Sequence, residues 1–286
     1  MNKSIKDRIK TILDEDIVDS AAQGGGCIAD SRVLTTSSGK MYFLKQGFSN
    51  GMFKNEANCL REIERSETIR THKIFGVEDD FLLLDFITQG VKTKDAMYNF
   101  GCDLARMHQY VGKNYGFYED NFIGANPQIN AESDNWGDFY FNNRLKYQYQ
   151  LAEKNGHVTP ELKSKFLQLE KVFHRILEGS IDSPSLLHGD LWGGNYLIDE
   201  NKKAVIIDPA VYYGHREADW AMTKLFGGFS PEFYEGYQHT FPLNDGYQYR
   251  ENIYLLYHVL NHLNLFGRGY YSQTISLIEF YLGVHH

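Results

Sequence analysis

Leu187-His188-Gly189-Asp190-Leu191-Trp192-Gly193-Gly194-Asn195, running into Tyr196-Leu197-Ile198-Asp199-Glu200-Asn201-Lys202-Lys203-Ala204-Val205-Ile206-Ile207-Asp208, is the stretch on which the fold turns. Tyr196 to Asp199 and Ala204 to Ile207 read as two short strands, with Glu200 to Lys203 as the turn between them. Pairing about that turn sets Tyr196 opposite Ile207 and Asn195 opposite Asp208, about 5 Å apart by Cα at the open end. An amide oxygen and a carboxylate converging there suit a hard cation. Mg²⁺ fits best, because it takes few protein oxygens and completes its shell with water and phosphate oxygens.

Asp190 precedes Asn195 with Gly193 and Gly194 between them, which permits a tight loop. Asp-x-x-x-x-Asn followed by a second Asp after a hairpin is the spacing of a kinase catalytic loop, whose first Asp accepts the proton of the substrate hydroxyl. That chemistry makes demands upstream: a lysine on a strand that comes after a glycine turn, and a glutamate on the next helix. Met41-Tyr42-Phe43-Leu44-Lys45 supplies the strand and Glu56 the helix residue, so Lys45 is expected on the α/β-phosphates with Glu56 orienting it. Gly24, Gly25 and Gly26 would form the phosphate-covering loop, their backbone N–H groups free to approach oxygens; an ordinary hairpin turn explains them equally well. Ser38-Gly39-Lys40-Met41 is only the next turn, since it lacks the earlier glycine and the Ser/Thr of a Walker loop. Asp85, Phe86 and Ile87 fall where the chain leaves the β-rich part, a position from which backbone groups can bond an adenine ring; a buried strand end is the alternative.

Outward from these motifs the hydrophobic period changes. From Ile17 to Ile87 short β-type runs are broken by turns and by one helix, Met52 to Arg65. From Thr93 helical spacing takes over, with stripes at Met97, Phe100, Leu104, Met107 and Tyr110, at Leu162, Phe166, Leu169, Val172 and Ile176, and across Tyr254 to Leu265. The expected fold is α+β in two lobes: residues 1–88 as a nucleotide-binding N-terminal lobe, and residues 89–286 as a larger, mainly helical lobe that carries the catalytic hairpin and the metal and substrate site. Clefts between lobes are favoured ligand sites.

The 286 residues carry 29 Lys+Arg against 37 Asp+Glu, a formal charge of −8. That balance argues against a polyanion binder, so no nucleic acid is expected as a partner, while a nucleotide held by local N–H groups, a lysine and a metal stays open. No apolar run approaches the roughly 18 to 20 residues of a spanning helix. The charged N-terminus has no apolar signal region, so no membrane and a cytoplasmic location are expected. Cys27, Cys59 and Cys102 make neither a disulfide framework nor a zinc set. Cys27 comes directly after the glycine run, where N–H dipoles would favour a reactive thiolate; a small strand residue is the plainer reading.

These residues together resemble the fructosamine (ketosamine) kinase family, which is similar to aminoglycoside phosphotransferases and choline kinases within the protein-kinase-like fold. The resemblance covers nearly the whole chain, in HGDLWGGN, in Asp208-Pro209-Ala210, and in the stretches from Tyr115 to Asn130, Trp136 to Leu145, Tyr212 to Phe229 and Leu256 to Gly267. It implies ATP- and Mg²⁺-dependent phosphorylation of a ketosamine on the hydroxyl of its third sugar carbon, a deglycating repair step. Ribulosamine, erythrulosamine and fructosamine adducts of small amines or protein lysines are the substrate candidates, and a monomer or weak dimer the expected form. On transfer to this chain Asp190 becomes the base, Asn195 and Asp208 the Mg²⁺ ligands, and Lys45 with Glu56 the phosphate clamp. One departure is visible: Asp219-Trp220-Ala221-Met222 stands where the family has Asp-Leu-Ala-Met, a change read as one of packing.

Trp136 and Arg144 join the substrate side because the family motif includes them, with helix packing as the alternative. Glu217 is expected at the substrate mouth; Asp219 is counted with it, though capping its helix or bracing the catalytic loop accounts for it as well. Asn121, Gln128 and Asn130 offer amides to sugar hydroxyls or to turns. His188 and His108 read as structural histidines, and His285 and His286 are assigned no role. Two rivals remain: a kinase for an aminoglycoside or choline, and a non-catalytic nucleotide-binding module.

Overall fold

The computed structural model describes residues 3–24, 30–47, 50–180 and 182–283. Gly25, Gly26, Cys27, His285 and His286 therefore lie outside the described residues. The N-terminal part runs α1 (Lys3–Leu13), β1 (Ile17–Ala22), β2 (Asp30–Thr36), β3 (Met41–Gln46), α2 (Met52–Arg65), β4 (Arg70–Thr71), β5 (Ile74–Val77) and β6 (Phe81–Asp85). Five of these strands form an antiparallel sheet in the order β1-β2-β3-β6-β5.

The unbroken apolar run Phe81-Leu82-Leu83-Leu84 is explained by cover on both faces of that sheet. Side chains alternate along a strand, and Phe81 and Leu83 meet Ile5 and Ile9 of α1. Leu82 and Leu84 meet Phe53, Ala57 and Leu60 of α2 on the other face. Helix α2 has the limits expected from the sequence. Helix α1 is absent from those expectations: its charges mask the Ile5/Ile9 pair, which at i, i+4 makes one narrow buried stripe.

The remainder is mostly helical: α3 (Lys94–His108), β7 (Asn121–Ile123), β8 (Asn126–Gln128), α4 (Trp136–Tyr140), a π-helical segment Phe141–Lys146, α5 (Tyr147–Lys154) and α6 (Pro160–Ile176). Then come β9 (Ser185–Leu187), β10 (Tyr196–Ile198), β11 (Ala204–Ile206), β12 (Tyr212–Gly214), α7 (Glu217–Met222), α8 (Pro231–Thr240), α9 (Tyr247–Phe266) and α10 (Tyr271–Leu282). The expected stripes hold with two adjustments. Helix α3 is capped by the Thr93 hydroxyl and ends at His108, so Tyr110 lies beyond it, and in α6 Phe173 is buried where Val172 is only half-buried. Helices α3 and α8 pack backbone to backbone, since a Cβ on Gly101 would lie 1.9 Å from Phe233 O and one on Gly236 would lie 2.0 Å from Tyr98 O. No helix among the described residues is long and apolar enough to cross a membrane.

The β10–β11 hairpin departs from the expected register by one residue. Tyr196 pairs with Ile206, Leu197 with Val205 and Ile198 with Ala204. Asp199 closes a turn of three residues: its N–H donates to Lys203 O at 2.8 Å, while its Oδ1 accepts N–H bonds from Asn201 at 2.9 Å and Lys203 at 2.8 Å. Lys202 takes a left-handed φ of 61° to close that turn. Such Asx turns compete with strand pairing, which is why a four-residue turn is the wrong count. The backbone oxygen of Asn195 consequently accepts its bond from Ile207 N, not from Asp208.

Two connections tie the hairpin to the N-terminal part and to the segment that follows it. Strand β4 pairs parallel with β11, Arg70 beside Val205 and Thr71 beside Ile206. Gly90 donates its N–H to Ile198 O at 2.7 Å, an approach that needs glycine because a Cβ there would sit 2.1 Å from Asp199 O.

Candidate active site

Lys45 leaves the end of β3 and Glu56 stands in the second turn of α2, on the side turned toward the hairpin. Lys45 Nζ donates to Glu56 Oε1 and to Asp208 Oδ1, each at 2.6 Å. Burial alone would lower the lysine's pKa, but the two carboxylates outweigh it and the ammonium is held charged. Asp208 is held below its ordinary range although burial works the other way, because Lys45 faces it; burial leaves Glu56 raised. Asp208 itself has φ 55°, a left-handed conformation that costs a non-glycine residue of order 1–3 kcal/mol. The wrong register therefore still leads to the right neighbourhood: the backbone kink, not strand pairing, turns the Asp208 carboxylate toward Lys45.

Asn195 Nδ2 donates to the backbone oxygen of Asp190 at 2.8 Å and to its Oδ2 at 3.2 Å. This ties the loop across its two ends and leaves the amide oxygen free of the loop. Asp190 is pushed up to about 7 by burial first and by the charges of Asp208 and Asp219 second. A cavity of about 680 Å³ brings Lys45, Glu56, Asp190, Asn195 and Asp208 together, with Gly24 at its rim. Phe43, Phe86, Ile87, Leu197 and Ile207 supply apolar wall, and Ile87 makes no backbone hydrogen bond among the described residues. Asp85 does not reach this space: its carboxylate bonds His72 Nδ1 at 2.9 Å and Lys73 N at 2.8 Å.

The four residues assigned to the substrate side are all buried, and none of them lines the cavity. Trp136 stacks on His215 at 4.7 Å and donates its indole N–H to the Tyr254 hydroxyl. Arg144 is turned inward by the π-helical segment, bonds Asn130 Oδ1 at 2.7 Å and lies 4.1 Å over the Tyr212 ring. Glu217 forms a two-pronged ion pair with Arg250, at 2.7 and 2.6 Å. Asp219 accepts the backbone N–H of His188 at 2.6 Å and of Gly189 at 2.8 Å, which is the bracing alternative.

His188 Nε2 donates to Ile207 O at 2.9 Å, and His108 meets the Tyr237 hydroxyl and Asp219, so both are structural. Asn121, Gln128 and Asn130 bond one another and the backbone of Glu119, Ala210 and Val211, which commits their amides. Residues that sequence reasoning passes over include His72, on the cavity wall, and Phe226, exposed with φ 57° and edge-on to Trp192 of the catalytic loop. The pair Gly227-Gly228 is the available signal for that strained corner.

A family model described as fructosamine kinase matches residues 1–283. The chain is 40% identical over 268 residues to a chloroplastic protein-ribulosamine 3-kinase of Arabidopsis thaliana, covering 91% of this chain and 81% of the relative. It is 39% identical over 262 residues to a "probable ketoamine kinase" of Synechocystis, covering 89% and 87%. Among solved structures, a "putative fructosamine-3-kinase" of Thermobifida fusca superposes with a TM-score of 0.90 at 29% identity, covering 99% of both chains. The streptomycin–ATP–APH(2″)-IIa complex superposes with a TM-score of 0.65 at 15% identity over 97% of this chain and 96% of that one, a likeness of fold alone. The architecture is thus the two-part α+β arrangement of protein-kinase-like phosphotransferases.

Proposed function

The chain belongs to the fructosamine kinase family, and we propose that it transfers the γ-phosphate of ATP to a ketosamine, on the hydroxyl that the 3-kinase names of its plant relatives specify. The observation that carries this reading is the convergence of Lys45, Glu56 and Asp208 by two 2.6 Å bonds, beside an Asp190 tied to Asn195. In this scheme Asp190 orients the acceptor hydroxyl and takes its proton. Lys45, held charged and aimed by Glu56, neutralises the α/β-phosphate oxygens. The Asn195 amide oxygen and the outer oxygen of Asp208 are the donors suited to Mg²⁺, two hard oxygens with room for phosphate and water. Such an ion would supply charge neutralisation at the phosphate oxygens. Gly24 belongs to the edge over the phosphates, and Phe86 with the backbone of Ile87 to the adenine side. Residues 1–88 and 89–286 are the two lobes of the reading. A deglycating role, a cytoplasmic location and a monomer or weak dimer complete it.

The test is ADP formation quantified directly by chromatography across ribuloselysine, fructoselysine, an aminoglycoside and choline, with Mg²⁺ present and chelated. Release with a ketosamine, abolished by chelation, is expected. Release only with the aminoglycoside or choline would overturn the substrate, and nucleotide binding with no release from any acceptor would overturn catalysis.

A further inference from the structure

Among the described residues few buried side-chain nitrogens or oxygens lack a partner, and one of them, Nδ1 of His258, faces Asp190. His258 stands on α9 with its side chain only 4% exposed, and Nδ1 lies 4.0 Å from Asp190 Oδ1. That is too long for a hydrogen bond, yet an unpaired polar group inside a protein is costly and calls for a function. The other carboxylate oxygen of Asp190 is already held by Asn195 Nδ2. His258 O bonds the ring of His262 one turn on, at 2.7 Å, which anchors the backbone beneath the imidazole. Burial first, then His262 and Arg144, depress the imidazole to about 3 against the pull of Asp219. It is therefore neutral, and a neutral imidazole can keep its one proton on Nδ1 as a donor.

We propose that His258 is the positioning residue of Asp190: in the loaded enzyme its Nδ1–H closes from 4.0 Å onto Oδ1 and fixes the carboxylate between two donors, Asn195 and His258. Hydrogen bonds at such sites are often long before ligands bind and tighten in the reacting complex. Each carboxylate oxygen has two lone-pair directions, so the second on Oδ1 remains for the acceptor's proton. With one donor alone the carboxylate can rotate about its Cβ–Cγ bond; with two it cannot.

The inference rests on Asp190 being the base, and its test is read with whichever acceptor the wild type turns over. Absence of ketosamine turnover would thus count against the substrate and not against His258. His258→Leu removes the donor; His258→Asn places an amide N–H near Nδ1; His258→Gln places it near Nε2. A hydrogen bond to a charged group predicts a loss in kcat of about 10- to 100-fold for His258→Leu, with the KM for ATP within about twofold. His258→Asn should recover most of that loss and His258→Gln little. Equal losses in the Asn and Gln variants would show that His258 only packs, and His258→Leu with kcat within about threefold of wild type would equally overturn the proposal. If His258→Leu fails to fold, the Asn and Gln comparison decides alone.

Discussion

Asp219→Asn separates a brace of the catalytic loop from a substrate contact. The carboxylate is fully enclosed and accepts three contacts: His188 N at 2.6 Å and His108 Nε2 at 3.3 Å on Oδ2, and Gly189 N at 2.8 Å on Oδ1. Burial opposes its charge, but the bonds from His108 and the loop backbone hold it ionised, below the ordinary carboxylate range. Asparagine has the same shape, yet one of its two positions becomes an NH₂ donor aimed at a backbone donor. One buried N–H is then left without an acceptor, at about 1–3 kcal/mol, and the remaining bonds lose their charge assistance. Together the cost is about 3–5 kcal/mol, the scale of breaking a buried charged network. For a chain of this size that is a fall in Tm of roughly 6–10 °C. Because Gly189 leads directly into Asp190, a shift of the loop moves the proposed base, and a displacement of about 1 Å can cost on the order of 10²-fold in rate. Thermal unfolding monitored by circular dichroism, with coupled ADP release on the same preparation, reads both quantities. The acceptor KM should change little. A variant with wild-type Tm and an acceptor KM raised about tenfold would refute the brace and restore Asp219 to the substrate side.

Asp190→Asn should lower kcat by about 10²- to 10⁴-fold, the range of a lost general base, while nucleotide affinity by titration stays within about twofold. Wild-type kcat/KM should fall as pH drops through about 7, because burial and neighbouring carboxylates raise Asp190 and its protonated form cannot act as base; a flat profile from pH 8 to 6 would remove it from that role. Gly101→Ala places a methyl 1.9 Å from Phe233 O, a backbone atom that cannot rotate away. It should destabilise by about 3 kcal/mol or more, and an unchanged Tm would show that α3 and α8 separate freely.

The chemistry legible in the sequence is that whose partners are set by local spacing. Asp190 and Asn195 share one loop, and Lys45 and Glu56 sit on a strand and the helix after it, so their approach is dictated by strand and helix geometry. Helix α2 is readable to its ends because four turns of buried stripe leave little ambiguity. Strands β4, β7, β8, β9 and β12 are two or three residues long, too short for alternation to register, and they form because a larger body supplies their partners. The hairpin register fails through one residue: Asp199 looks like the end of a strand and commits its carboxylate to the turn.

The charged residues expected on the substrate side and found buried share a different cause. Glu217 and Arg144 are charged, and a charged residue in a motif reads as facing a ligand, since a buried charge without a partner is prohibitive. Their partners exist but are distant in sequence: Arg250 answers Glu217, and Asn130 with the Tyr212 ring answers Arg144. Arg144 faces inward only because a π-helical segment adds a residue to the turn and rotates the residues beyond it, which no hydrophobic period announces. Removing one member of such a pair is strongly destabilising even where the pair adds little net stability. These charges therefore specify how the helices behind the catalytic loop must dock. The same reasoning finds His258: of the charged and polar groups packed behind that loop, it faces the base with its nitrogen still unpaired. A donor left so beside the proposed base is where bound substrate has something left to organise.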